Sequence, residues 1–394
     1  MNRAKNFILI SPHFPANFEP FAIRLKANGF NVFGIADEAY DRLSPKLREA
    51  LTEYYRVDDM NDYEQMYRAV AYFAFKYGRI DRIESNNEHW LETDARLRTD
   101  FNVPGLKSED MEVIKHKSKM KEVFRKHKLP VARGRVITDD KDARKLAKEL
   151  KFPVIAKPDS GVGASDTWKI KTPKDLDRFL QERNPEVSYI MEEYIPGNIV
   201  TYDGLVDQDG KIVFDASITH DKPVLDVVAD HTDMYFFIKR DIPEDLRELG
   251  QKAVQAFGIK ERFFHFEFFR LDNGDLICLE INCRPPGGST IDLWNYGNDF
   301  DIFDQYAQVV KNNEFTAELT RPYHVAYISR IDEVDYVHSH DDIYRHYGDE
   351  ILYDIVHPGV FAAVMGNIGY VFKTPSEDKL YEILDYISER QTTD

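Results

Sequence analysis

The stretch FEFF at residues 266–269, followed by LEINCRPPGG at residues 279–288, decides the reading of this chain. Both pieces are apolar and strand-like, and DNGD at 272–275 lies between them. Asn-Gly flanked by such runs is a hairpin signal. Side chains alternate along a strand, so Glu280, Asn282 and Arg284 share one face if the strand stays regular. The turn then folds Glu267 back beside them. Two carboxylates and an amide carbonyl form an all-oxygen set suited to a hard cation such as Mg²⁺, and an adjacent Arg284 can hold a phosphate that the metal bridges. A solvated acidic edge strand is the bland alternative.

The chain has 394 residues, enough for two or three domains, and its 43% hydrophobic and 31% charged content is that of a globular protein. The formal charge of -17, from 52 Lys+Arg against 69 Asp+Glu, argues against nucleic acid or an anionic membrane as the main partner. No apolar run approaches bilayer length, and NFILI is too short for a secretion signal, so the expected location is cytoplasmic. Cys278 and Cys283 are the only cysteines, too few for a disulfide framework or a zinc site. Both are expected to be reduced, with Cys278 a small buried hydrophobe.

Residues 6–11, 17–28 and 31–36 read as strand, helix and strand, a right-handed βαβ unit in a parallel sheet. Helical patterning continues at 63–77 and a short strand follows near 80–84. No GxGxxG follows the first strand, so dinucleotide binding has no support there. A charged helix is expected from Ser108 to about Lys128, ended by Pro130. A compact α/β pattern comes next: strand 131–137, helix 140–150, strand 153–157, strand 167–170, helix 173–182 and strand 187–192. A sheet-rich region spans about 199–283, interrupted by a helix at 244–257 and closed by one at 299–311. The last segment has strands at 323–329 and 367–373 and a helix at 376–390.

AKPDSGVGASDT follows strand 153–157. Lys157 ends the strand, and the small residues around Ser160, Gly161, Gly163 and Ser165 let backbone N–H groups approach an anion. GxxxxGK[ST] is absent, so this is no Walker loop. Upstream, IKHKSKMKEVFRKHK places Lys117 on a basic helix, ordinarily a solvated face. Downstream, YIMEEYIPG ends a strand with Glu192, Glu193, Tyr194 and Ile195, where freed backbone groups can pair with an adenine edge.

With Lys117, the Lys157 glycine loop, the MEEYI hinge and the ExN strand in this order, residues 105–312 resemble the ATP-grasp superfamily. More narrowly they are similar to the ATP-dependent carboxylate–amine ligases. The resemblance implies an α/β fold with α+β character in the ATP-grasp part. Its domains are an N-terminal α/β domain over 1–107, an ATP-grasp domain over 108–312 with a lid subdomain at about 130–192, and a small C-terminal α/β segment over 313–394. It further implies ATP and Mg²⁺ as cofactors, with Mn²⁺ as the alternative metal. Lys117 and Lys157 would contact the phosphates, and the loop from Ser160 through Gly161 and Gly163 to Ser165 would close over them. Glu192, Glu193 and Ile195 would read adenine, mostly through backbone groups, with Phe269 packed against the ring or in the core. Glu267, Glu280 and Asn282 would hold the metal. Arg284 would hold the γ-phosphate or the acyl phosphate made from it, sharing the catalytic role with Lys157.

One departure stands out. Where the family commonly has Gly-x-Glu after the hinge, Gly197 is followed by Asn198 and Ile199, while Asp203 survives in the next strand. Asp226, Asp230 and His231, together with Ser289 and Thr290, are the candidate substrate residues. His265 is read as structural and facing away from Glu267. The expected partners are a small-molecule carboxylate and amine, without nucleic acid or membrane, in a homodimer if the commonest closed assembly applies. The alternatives are a catalytically weak ATP-binding regulatory protein, or an enzyme that uses a thiol or other acceptor.

Overall fold

In the computed structural model, residues 3–161, 166–220, 233–357, 359, 362 and 365–391 are described. NFILI has no polar position to expose, and β1 (Asn6–Ile10) is buried along its whole length, as a central parallel strand requires. It is flanked by β2 (Asn31–Ala36) and β4 (Arg82–Glu84), and β3 (Glu53–Arg56) lies outside β2, giving a parallel sheet of order β3-β2-β1-β4. Helices α1 (Glu19–Ala27) and α2 (Pro45–Ala50) cover one face through Phe21, Leu25 and Leu47. Helices α3 (Tyr63–Tyr77) and α4 (Leu91–Asp100) cover the other through Met66, Val70, Phe73 and Leu97. Helix α3 keeps its sequence-read limits because Asp62 caps the Glu64 N–H and Gly78, at φ 85°, ends it.

Nine strands form an antiparallel sheet of order β14-β13-β9-β11-β12-β15-β17-β16, with β10 on β9. In chain order they are β9 (Gly197–Val206), β10 (Ile212–Ala216), β11 (Ile218–His220), β12 (Tyr235–Ile238), β13 (Arg262–Leu271), β14 (Leu276–Asn282), β15 (His324–Arg330), β16 (Ile351–Val356) and β17 (Ile368–Thr374). The strands after Arg321 join this sheet through β12 and β15. On one face Tyr202, Phe264, Phe266 and Phe268 pack beneath α9 (Glu244–Phe257). That helix lies so close that a Cβ on Gly250 would stand 2.2 Å from the Tyr202 ring. On the other face Leu205 and Phe263 pack against α10 (Thr290–Asn298) and α11 (Ile302–Asn312). Farther along that second face, apolar packing gives way to Thr201, Asp203, His265 and Glu267, and the candidate site lies there.

A third, antiparallel sheet, β5-β8-β6-β7, comprises β5 (Gly134–Val136), β6 (Val154–Pro158), β7 (Trp168–Ile170) and β8 (Tyr189–Glu193). Helices α7 (Asp140–Leu150) and α8 (Pro173–Glu182) back it through Leu146, Leu150, Leu176 and Phe179.

Three sequence expectations need correction. The helix expected from Ser108 to Lys128 breaks at His116 (φ -103°, ψ 116°) into α5 (Met111–Lys115) and α6 (Lys117–Lys126). Asp159 causes the break: its carbonyl accepts the Lys117 N–H at 2.8 Å and its carboxylate accepts the Ser118 N–H at 2.7 Å, giving α6 an N-terminal anion. The helix expected at 299–311 starts only at Ile302, capped by Asp301, and an unexpected helix, Thr290–Asn298, precedes it and ends at left-handed Asp299. Strand 131–137 shrinks to Gly134–Val136, with only an isolated bridge from Val131 to Cys278.

A buried charge set joins the parallel sheet to the β13–β14 hairpin. Glu84 accepts from Arg98 at 2.9 Å and from Arg262, and Arg262 also donates to the Cys283 carbonyl at 2.9 Å. Removing one charge from such a set strands the others, at a cost of about 3–5 kcal/mol. Glu84→Gln is therefore expected to lower unfolding free energy by that amount in chemical denaturation. A loss below about 1 kcal/mol, typical of exposed pairs, would mean that water reaches the network.

Candidate active site

DNGD forms the expected hairpin: the Gly274 N–H donates to the Leu271 carbonyl at 2.9 Å, with Gly274 at φ 90°. The hairpin sets Glu267 directly opposite Glu280 and His265 opposite Asn282, with a bulge after the Glu267–Glu280 rung. Burial pushes the Glu280 carboxyl up, and the Glu267 charge adds to that against the pull of Lys117. Glu267 is held below its ordinary value: burial opposes ionisation, but the hydrogen bond and charge of His265, with the charges of His220 and Arg284, together outweigh it. The Asn282 side chain is buried and makes no hydrogen bond to another described residue. Two opposed carboxylates and an unengaged amide are a donor set that fits a hard divalent cation. Among the described residues no three His, Cys, Asp or Glu side chains converge as a closed cage. A metal here would complete its shell from elsewhere, as Mg²⁺ does with substrate phosphates.

Two lysines reach the pair from different elements, Lys117 from the head of α6 and Lys157 from β6 of the third sheet. Lys117 Nζ donates to the Gly161 carbonyl at 3.0 Å and stands 3.6 Å from Glu280. Lys157, at the end of β6, is 3.1 Å from Glu192 and feels the charges of Glu280 and Glu267. Glu192 is engaged by its side chain, since Lys121 approaches its other oxygen at 2.6 Å. Burial works against this carboxylate, but the two lysine charges hold it down at about 2. Glu193 pairs with Arg133, accepting its N–H at 2.8 Å and its guanidinium at 2.7 Å. Ile195 is half-buried at the exit of β8, and Phe269 is half-buried opposite Ile199. Ser160 is exposed and bridges to His116. Gly163 and Ser165 lie outside the described residues.

His265 is the main correction. It stands two residues from Glu267, so strand alternation puts both on one face, and its Nε2 lies 3.4 Å from Glu267. Its Nδ1 meets Asp203 at 2.6 Å, and Asp203 in turn accepts from Thr201. Burial favours the neutral ring, yet the Asp203 charge holds this imidazole up at about 9. His220, also near Glu267, goes the other way: burial pushes it down to about 4. Asn198, Ile199, Thr219 and His220 line a cavity of about 390 Å³ where the family pattern departs. Lys121 was legible in principle, being one helical turn from Lys117.

On the acceptor side, Arg284 Nε is 3.6 Å from Glu88, a residue that the sequence did not single out. Ser289 and Thr290 are buried at the start of α10, and the Thr290 hydroxyl donates to the Gly287 carbonyl at 2.8 Å. Asp226, Asp230 and His231 lie outside the described residues. Both cysteines are free and buried, and burial pushes each thiol up to about 12. No described helix is long and apolar enough to cross a membrane.

The family model described as the ATP-grasp domain matches residues 150–292. Lys157, Glu192 and the Glu267–Glu280 pair fall within that matched span, and Lys117 lies upstream of it. Among curated proteins it is 26% identical to the L-arginine-specific L-amino acid ligase of Bacillus subtilis, over 63% of this chain and 64% of that one. It is 24% identical to a D-alanine--D-alanine ligase of Francisella philomiragia, over 42% of this chain and 55% of the relative. The alignments thus span less than two thirds of these relatives' lengths. Among solved structures, an L-amino acid ligase from Bacillus licheniformis superposes with a TM-score of 0.74 at 16% identity, covering 100% of both chains. A phosphoribosylglycinamide synthetase from Anaerococcus prevotii superposes with a TM-score of 0.69 at 15% identity, covering 98% of both.

The Glu192 geometry gives a pH prediction. Its carboxyl ordinarily titrates near 4.5 and is held at about 2 here, so its stabilisation is fully present above pH 4.5 and is lost as pH falls through about 2. In urea titrations across that window, Glu192→Gln is expected to flatten the dependence of stability on pH. An unchanged slope would mean that the two lysines do not hold this carboxylate.

Proposed function

We propose that this protein is an ATP-dependent ligase that joins a carboxylate to an amine, releasing ADP and phosphate. The observation that carries the reading is the opposed Glu267–Glu280 pair meeting Lys117 at the head of α6. The names of the relatives add the substrate class: both partners are proposed to be amino acids, and the working compartment the cytosol.

A carboxylate oxygen of the first substrate attacks the γ-phosphorus of ATP. The bond to the bridging oxygen breaks, leaving ADP and an acyl phosphate. The amine nitrogen of the second substrate then attacks the acyl carbon, the carbon–oxygen bond to phosphate breaks, and an amide forms with loss of a proton. Glu267, Glu280 and Asn282 would hold Mg²⁺ or Mn²⁺, which would neutralise phosphate charge. Lys117 and Lys157 would bind the phosphate oxygens from opposite sides of the cleft, with the Ser160–Ser165 loop over them. Arg284 would take the transferred phosphate. Such preorganised charges act where water is excluded and need no reorientation during the reaction. The backbone of Glu193 and Ile195 would read adenine, while the Glu192 side chain keeps Lys121 and Lys157 in place. Asp203 and His265 would orient Glu267 as a positioning pair.

Pairwise mixtures of amino acids with ATP, read for ADP and phosphate together, are expected to reveal at least one pair that turns over well above either component alone. Glu280→Gln is expected to cut that rate by at least about a hundredfold while leaving the thermal transition cooperative. An unimpaired variant would overturn the site. ATP binding without turnover for every pair would favour a regulatory protein, and turnover with thiols alone would move the acceptor class.

A further inference from the structure

The large antiparallel sheet has a second face, turned away from the carboxylate pair, and the cavity of about 390 Å³ lies on it. Strand alternation places the cavity. On β9, Thr201 and Asp203 face the candidate active site, so Asn198 and Val200 point to the opposite side, where Val200 packs toward α9. Thr219 on β11 pairs with Val200, and Arg270 on β13 pairs with Asn198, so both share that side. Two helical layers cover it. One is α9, whose Leu246 forms a wall of the cavity. The other is the terminal helix Glu377–Ser388, whose Leu380 and Ile383 share a core with Phe237 of β12. The cavity is the crevice between the two layers.

Its charges do not cancel. Lys239 and Arg270 line the crevice, but Lys239 donates to Glu377 at 2.5 Å and Arg270 is clasped by Asp245 at 2.6 and 3.0 Å. Asp241 and Asp272 also line it, and neither carboxylate has an ion-pair or hydrogen-bond partner among the described residues. The charge left over is therefore negative. Ser217 adds an independent sign of a ligand: it is only 9% exposed, it lines the crevice, and its hydroxyl has no partner among the described residues. A buried polar group without a partner is costly, and a ligand that supplies one removes the cost. The two carboxylates stand on opposite rims. Asp272 follows β13 and Asp241 follows β12, and β9 and β11 lie between those strands. Three strand spacings, about 14 Å, separate the rims. A single metal ion, with oxygen ligands at about 2.0–2.6 Å, cannot join them.

We infer that this crevice binds a linear organic dication, a diamine or polyamine whose ammonium groups meet Asp241 and Asp272 on the two rims. Its methylenes lie over Val200 and Leu246 on the apolar floor, and the Ser217 hydroxyl accepts an N–H from the chain. Charge, span and floor each select part of this ligand. Negative rims call for a cation, their separation calls for two charges, and the apolar residues between them call for an alkyl linker. The thickness of the sheet separates the crevice from the Glu267–Glu280 pair, and the inference stands whether or not the ligase reading holds.

The test is calorimetric titration of the full chain with 1,4-diaminobutane and spermidine, and with n-butylamine as the singly charged control. At least one of the two polycations is expected to bind about tenfold or more tightly than n-butylamine. Asp241→Asn and Asp272→Asn are each expected to bring it to within about twofold of the n-butylamine value. Both residues are exposed, so the thermal transition of these variants is expected to match wild type. Ser217→Ala is expected to weaken the same polycation by about threefold or more. An acidic chain attracts any cation, and the cleft proposed for ligation admits amines, so Glu280→Gln is titrated alongside and is expected to bind as wild type does. Polycations that bind no more tightly than n-butylamine overturn the inference, as does an affinity unchanged in both aspartate variants. Binding that is lost in Glu280→Gln but kept in the aspartate variants places the amine in the catalytic cleft and overturns it too.

Discussion

Glu267 and Glu280 face each other across neighbouring antiparallel strands, and two carboxylates so placed repel when both are ionised. Burial raises the cost, because the interior screens their repulsion less than water does. The chain answers by surrounding the pair with cations from different elements: Lys117 from the head of α6, Lys157 from the end of β6, and His265 from within β13. Each serves the pair only if its own element stops in the right place. The break at His116 and the bulge beside the Glu267–Glu280 rung can be understood in that way.

Holding lysines close together beside the carboxylate pair raises a second difficulty, since they also repel one another. Glu192 resolves it by pairing with Lys121 on α6 and Lys157 on β6, which ties the helix that carries Lys117 to the middle of the lid sheet. Replacing such a set with apolar groups can leave stability unchanged or improve it. Its retention here goes with what it positions: two ammonium groups held a fixed distance from the carboxylate pair, with a buried anion between their supports.

Much of this was legible in the sequence, and the reasons differ by element. The β13–β14 hairpin followed from DNGD and from the apolar runs on either side, and α3 from its cap and terminal glycine, because local chemistry decides both. The break at His116 was not legible, since its cause, Asp159, lies 43 residues away in sequence and acts through a single buried cap. The place of His265 was legible and misread: counting by two puts it with Glu267. Glu88 carried no motif; it matters through burial and through neighbours, which its own turn seen alone does not reveal. Lys121 could have been picked out by its spacing from Lys117, but its pairing with Glu192 could not. The neutral, desolvated state of His220 and the raised imidazole of His265 belong to the same class, because neighbours rather than sequence set their charge.

The net charge of -17 and the cationic phosphate end are compatible because they act over different distances. Charges in solution are screened within about 8 Å at physiological ionic strength, so the acidic exterior scarcely weakens attraction inside a cleft. Within the cleft each charge is met by one from another element or strand: Glu280 by Lys117 from the head of α6, Lys157 on β6 by Glu192 on β8, and Glu267 by His265 two residues before it on β13. Arg284, just past β14, and Glu88, on the turn after β4, form an ion pair at 3.6 Å that links the hairpin to the parallel sheet.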